Sequence, residues 1–145
     1  MPVALKRVYQ PPSAKDGVRV LVDRLWPRGL TKASARLDYW LRDLAPSNEL
    51  RRWYHARPSM FEQFRRRYWK ELRSPQANRA LERLYEIAAV APLLTLVYGS
   101  TDETQNNATV LRDLLNGMRK PPSSSGPAQA AAIQKRARAR PPRPR

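Results

Sequence analysis

Apolar residues fall into three short runs, with helical stripes between the second and the third. Val3–Tyr9 and Val18–Asp23 read as strands. The second, Val18-Arg19-Val20-Leu21-Val22, is β-branched and almost continuously apolar, as a strand covered on both faces is. Between them, Pro11-Pro12-Ser13-Ala14-Lys15-Asp16-Gly17 is a loop closed by a turn-forming Asp-Gly pair. Pro92-Leu93-Leu94-Thr95-Leu96-Val97-Tyr98 gives a third strand, with Gly99 directly after it.

The stretch between the second and third strands carries helical periodicity. Ser47 is an N-cap for Asn48–His55, and Ser59 with Glu62 fits the Ser-x-x-Glu capping box. Phe61, Phe64, Tyr68 and Leu72 then recur along one stripe. Pro75 at a first helical position precedes a second stripe of Leu81, Leu84 and Ala88. A last helix is expected over Asp102–Met118, with Asn107, Leu111, Leu114 and Met118 along one side and Ala108 and Leu115 adjoining. Thr31–Leu44 fits both states: Trp40, Leu41 and Leu44 suit a helix, whereas Leu37, Tyr39 and Leu41 alternate as in a strand. There is no internal repeat.

Strand, long helical crossover, strand and helix predict a small α/β domain whose largely parallel sheet is flanked by helices. Such crossovers are right-handed in nearly all proteins. Ligands of open α/β sheets gather beyond the carboxyl ends of the strands, where loops enter helices. The fold expectation therefore singles out two loops.

Composition divides the chain in two. Residues 1–119 hold all 12 acidic residues and 21 of the 28 Lys and Arg, a net +9. Residues 120–145 hold 7 basic residues and no acidic one, a net +7. Pro121-Pro122-Ser123-Ser124-Ser125-Gly126-Pro127 opens this second part as a linker, and Pro141-Pro142-Arg143-Pro144-Arg145 ends it. The expected organisation is a domain over 1–119 and a disordered basic tail over 120–145, with a short nascent helix at Ala128–Arg138. No apolar run approaches the ~20 residues of a membrane-spanning helix, and Met1–Lys6 lacks a secretory h-region. With no cysteine and one histidine, thiolate zinc sites, cysteine nucleophiles, disulfides and His-based metal sites are excluded. The expected compartment is the cytoplasm, although a cysteine-free chain suits an oxidising one too.

The first of the two loops is Asp23-Arg24-Leu25-Trp26-Pro27-Arg28-Gly29. Arg24 and Arg28 offer planar forks of donors that match phosphate or carboxylate, and Trp26 offers a flat wall. Together they suit a small anionic ligand with a planar group, such as a nucleotide. The alternative is structural: Arg24 paired within the chain and Trp26 filling the core. The second loop runs Tyr98-Gly99-Ser100-Thr101-Asp102-Glu103-Thr104-Gln105-Asn106-Asn107. Ser100 with Glu103, or Asp102 with Gln105, suits a helix cap, and Tyr98, Ser100, Asn106 and Asn107 are candidate ligand contacts. Asp23, Asp102 and Glu103 are the candidates for proton transfer or for holding ribose hydroxyls. The arginines of one loop pairing with Asp102 or Glu103 of the other is the remaining, purely structural reading.

His55, near a helix end, suits the helix dipole better than catalysis. Arg65-Arg66-Arg67, beside an apolar stripe, reads as a solvated face, and Trp40, Trp53 and Trp69 read as core or half-buried surface. No Walker loop, GxGxxG or helical metal motif occurs. In the tail, Lys135, Arg136, Arg138, Arg140, Arg143 and Arg145 have the charge density of a nucleic-acid-binding arm acting by counterion release, with no aromatic residue for base stacking. A non-enzymatic nucleic-acid-associated protein is thus the rival to a ligand-binding domain.

Lys6-Arg7-Val8-Tyr9, Gly17–Gly29 with its Val-Asp-Arg-Leu-Trp-Pro-Arg-Gly string, Trp40, Asp43–Ser47, Leu50-Arg51 and Phe64–Tyr68 together resemble the short, YeaO-like form of the domain-of-unknown-function family 488. The resemblance covers about residues 3–117. It implies a small bacterial or archaeal α/β fold and brings no established reaction. Members often carry an Asn-His pair after the last strand, where this chain has Asn106-Asn107, so the resemblance gives no histidine chemistry here. The basic tail lies outside the matching region. Neither a cofactor nor an oligomeric state follows from it.

Overall fold

The computed structural model describes residues 3–117. Four strands, β1 (Val3–Arg7), β2 (Val18–Leu21), β3 (Tyr39–Trp40) and β4 (Leu94–Tyr98), form one sheet in the order β1-β4-β2-β3. Every pairing is parallel, with Leu5 opposite Leu96 and Val20 opposite both Leu96 and Tyr39. The α/β architecture expected from the hydrophobic pattern is the one observed. β4 is buried throughout, as a central strand covered on both faces must be.

Among the described residues the α-helices are α1 (Lys32–Ala35), α2 (Asn48–His55), α3 (Phe61–Glu71), α4 (Pro75–Val90) and α5 (Asn107–Leu115). Phe61, Phe64, Tyr68 and Leu72 of the α3 stripe are buried together with Leu81, Leu84 and Ala88 of α4 against Val20, Leu94 and Leu96 of the sheet. Ser47 and Ser74 cap α2 and α4 by accepting from the Leu50 and Ala77 amides. The ambiguous Thr31–Leu44 stretch contains both answers: the single turn α1, the two-residue β3 and a 3-10 turn at Arg42–Leu44.

Three expectations need correction. Ser59 and Glu62 make no capping box. Helix α3 starts one residue late, with Met60 at the N-cap and no side-chain cap, and Glu62 instead pairs with Arg65 at 2.7 Å. Arg65 does not belong to a solvated face: it is 8% exposed, its guanidinium lying over the rings of Phe61 and Trp69. The last helix begins at Asn107 rather than Asp102, because Asp102 Oδ1 accepts from the Thr104 and Gln105 amides and holds that segment as a loop, while Asn106 caps the helix through Thr109. Met118 and the proposed tail 120–145, including its six candidate basic residues, lie outside the described residues.

At the amino-terminal end of the sheet a charged cluster is buried. Asp16 accepts from Arg19 Nη1 at 2.7 Å, from Lys6 Nζ at 3.1 Å and from the Ser13 amide at 3.0 Å. Arg19, in β2, also donates from Nε to the Ala35 and Arg36 carbonyls and from Nη2 to the Ala35 carbonyl. Gly17 is required beside this cluster: it sits at φ 65°, and a Cβ there would lie 2.3 Å from the Leu93 carbonyl oxygen.

Candidate functional site

Because β2 and β4 are parallel neighbours, the loops leaving them meet at the carboxyl-end rim. The link is Asp23. Its Oδ2 accepts from the Gly99 amide at 2.8 Å, and its Oδ1 accepts from Asn107 Nδ2 at 3.1 Å. Asn107 Nδ2 also donates to the Val22 carbonyl at 2.9 Å, so one amide group serves both acceptors. Glycine at 99 allows the approach, since a Cβ would stand 3.1 Å from Asp23 Oδ2. Burial pushes the Asp23 carboxyl above its ordinary value, opposed only in part by Asn107, Gly99 and the more distant charge of Arg51. Its donors are neutral, so nothing beside it compensates the loss of water in full.

The arginine-tryptophan loop is organised by its own backbone. Arg24 donates from Nη2 to the Ala45 carbonyl at 3.0 Å and from Nε to Pro46 at 3.3 Å, tying the rim to the entry of α2. Trp26 Nε1 donates to the Leu30 carbonyl at 2.7 Å, and its ring meets Trp40 edge-on with centroids 5.4 Å apart. Trp40 Nε1 in turn donates to the Asp23 carbonyl at 2.8 Å. Arg28 is exposed; its carbonyl accepts from the Tyr9 hydroxyl at 3.2 Å, which places it at the same end of the sheet as β1's last residues.

On the second loop, the Ser100 hydroxyl accepts from the Asp102 amide at 3.1 Å. The Ser100 and Gly99 carbonyls accept from Arg7. The bonds to Asp102 from the Thr104 and Gln105 amides hold its carboxyl below the ordinary value. Glu103 is exposed. Tyr98 and Asn106 are buried in the frame of the loop; burial, with Glu103 nearby, pushes the Tyr98 phenol up. Across the rim, the α2 residue Tyr54 donates from its hydroxyl to the Gln105 carbonyl at 3.0 Å.

The structure thus brings Asp23, Asn107 and the start of the second loop into direct contact, while Arg24 and Trp26 turn toward the chain's own carbonyls. No bond between Arg24 or Arg28 and Asp102 or Glu103 forms among the described residues. Sequence reasoning missed Arg51 and Tyr54, which helix α2 carries to this rim; the predicted α2, read with the loop order, was the available signal. A shallow cavity of about 200 Å³ opens at the opposite end of the sheet, beside Asp16, Lys15 and Leu93. No group of His, Cys, Asp and Glu among the described residues is arranged to hold a metal ion. No helix there is long and apolar enough to cross a membrane.

Comparison with known proteins places this geometry in a family. A family model described as the inactive DUF488-N3 subclade matches residues 2–131. The chain is 43% identical over 118 residues to the uncharacterized protein YeaO of Escherichia coli K12, covering 81% of this chain and all of YeaO. It is 42% identical over 115 residues to the uncharacterized protein Rv3073c of Mycobacterium tuberculosis H37Rv, covering 79% of this chain and 94% of that protein. The uncharacterized Mb3100c of Mycobacterium bovis matches to the same extent. No solved structure matches the chain significantly. The chain is therefore a YeaO-like member of the DUF488 family, within the subclade described as inactive.

Proposed function

We propose that this chain is a non-catalytic, cytoplasmic α/β domain that binds a small anionic ligand on its carboxyl-end rim. The observation that carries the reading is the division of labour among the rim arginines. Arg24 is held on the Ala45 and Pro46 carbonyls, whereas Arg28 and Arg51 are exposed with no carboxylate partner among the described residues. In this reading Arg28 and Arg51 meet the anion, while Asp23, Asn107, Arg24 and Trp26 set the distance between the two loops. Ser100 and Glu103 face solvent beside them and supply contacts to a ligand's hydroxyls.

Two features support a binder over an enzyme. The subclade is described as inactive. Asn107 also fills the rim position with an amide that does not titrate, and it lies directly against Asp23. Asn107 therefore supplies no base to take a proton from Asp23. The test is thermal shift against inorganic phosphate, nucleoside monophosphates and dicarboxylates. The wild-type chain is expected to gain melting temperature with a member of this panel. Arg28→Ala with Arg51→Ala is expected to keep the unliganded melting temperature and lose the gain. An unchanged gain in that double variant overturns the assignment, as does a wild-type chain that responds to nothing in the panel.

A second reading follows from the same bonds. Arg24 and Trp26 donate only to the chain's own carbonyls, as in a rim built to hold a shape for a protein partner. A wild-type chain with no ligand response whose Arg24→Ala variant loses stability favours it.

A further inference from the structure

Helices α2 and α3 carry a group of cations that the rim does not use. Arg57 and Arg67 both stand over the ring of Trp53, their guanidinium carbons 5.2 and 4.2 Å from its centroid. The two charges are therefore no more than about 10 Å apart, close to a Debye length at physiological salt. Arg57 is fixed further by donating to the Trp53 carbonyl at 3.2 Å. Arg66 and Lys70 lie one turn apart on the neighbouring strip of α3, and Arg73 follows in the turn after it; all are exposed. Among the described residues none of these five cations pairs with a carboxylate. Of the acids on these two helices, Glu62 is held by Arg65 and Glu71 by the Ser47 amide and hydroxyl, while Glu49 is exposed one turn before Trp53.

Like charges gathered without counter-charges raise the energy of the free protein, and a polyanion relieves it. We propose that the outer face of α2 and α3, centred on Arg57, Trp53 and Arg67, is an interface for the phosphate backbone of a nucleic acid. A duplex carries one negative charge per ~1.7 Å of axis and can neutralise several cations of a rigid helix pair at once. Among the described residues the large exposed apolar side chains are Tyr9, Leu25, Val90 and Leu93, none of them on α2 or α3, so these helices present no large exposed apolar wedge to a lipid surface. The indole is engaged by guanidinium groups and holds them in place, so it does not serve as a platform for a base. Recognition is therefore of backbone rather than sequence.

The test is anisotropy of labelled duplex DNA and duplex RNA with the full-length chain over a salt series. Arg57→Gln with Arg67→Gln is expected to weaken binding at least ~10-fold at low salt. It should also flatten the slope of log K against log salt by about 2, one unit for each lost phosphate contact. Arg66→Gln with Arg73→Gln, which alters only exposed side chains, is expected to act in the same direction. It keeps the test valid should the first pair loosen Trp53. Both effects should persist when Lys135, Arg136, Arg138 and Arg140 are changed to Gln, which separates the face from the tail. Affinity and slope unchanged in both face variants overturn the proposal. So does loss of all binding in the tail variant alone, or binding to anionic vesicles without binding to either duplex.

Discussion

Two aspartates, Asp16 and Asp23, bracket β2, and the structure treats them in opposite ways. Burial alone pushes the Asp16 carboxyl up, but the Ser13 amide, Lys6 and Arg19 together outweigh it and hold it below the ordinary value. Asp23 is desolvated too, yet its partners are an amide N–H and the Asn107 side chain, and its carboxyl stays above that value. The amino-terminal end is thus an ion-paired anchor, and the carboxyl-terminal end holds a carboxylate whose charge is only partly compensated. Since raised carboxyls recur where a protein does something other than fold, the difference directs attention to the rim.

The largest effect expected from this contrast is at the anchor. Asp16→Ala leaves Arg19, 3% exposed, without its carboxylate and is expected to cost about 3–5 kcal/mol in urea unfolding. Asp23→Ala removes the acceptor of two neutral donors and should cost about 1–3 kcal/mol. A larger loss at Asp23 than at Asp16 breaks the comparison. Next comes Arg24→Ala, which strips a charged donor from the Ala45 and Pro46 carbonyls. An expected loss of about 1.5–3 kcal/mol, measured the same way, would sharpen the view of Arg24 as scaffold.

How much of this was legible in the sequence depends on where each side chain finds its partner. The α3 stripe of Phe61, Phe64, Tyr68 and Leu72, the Ser47 cap and Pro75 at the start of α4 answer to local periodicity and short-range bonds, and all are as expected. The parallel order of β2 and β4 was enough to bring the two loops together. What stayed hidden has a distant or anonymous partner. Arg19 looks like an interruption in an apolar strand until Asp16 and the Ala35 carbonyl meet it, and Arg65 looks solvated until Trp69 covers it. Arg24 resembles an anion ligand because a backbone carbonyl at Ala45 leaves no mark in the sequence.

The smallest change tests the fit of the link itself. Gly99→Ala puts a methyl group 3.1 Å from Asp23 Oδ2 and should lengthen that bond, for about 0.5–1.5 kcal/mol. In the same variant the Asp23 carboxyl should rise further, having lost a donor to its charged form.

The pH dependence of stability follows with opposite signs. The Asp16 contribution is fully present above the ordinary carboxyl value of 3.8 and is lost as pH falls through its lowered folded value. The Asp23 contribution is present below 3.8 and is lost as pH rises through its raised one. The most direct test is a carboxyl-carbon NMR titration of the full-length chain that resolves both aspartates. The account predicts that Asp16 loses its proton first, below 3.8, and Asp23 last, above it. An Asp23 that titrates at or below Asp16 contradicts it.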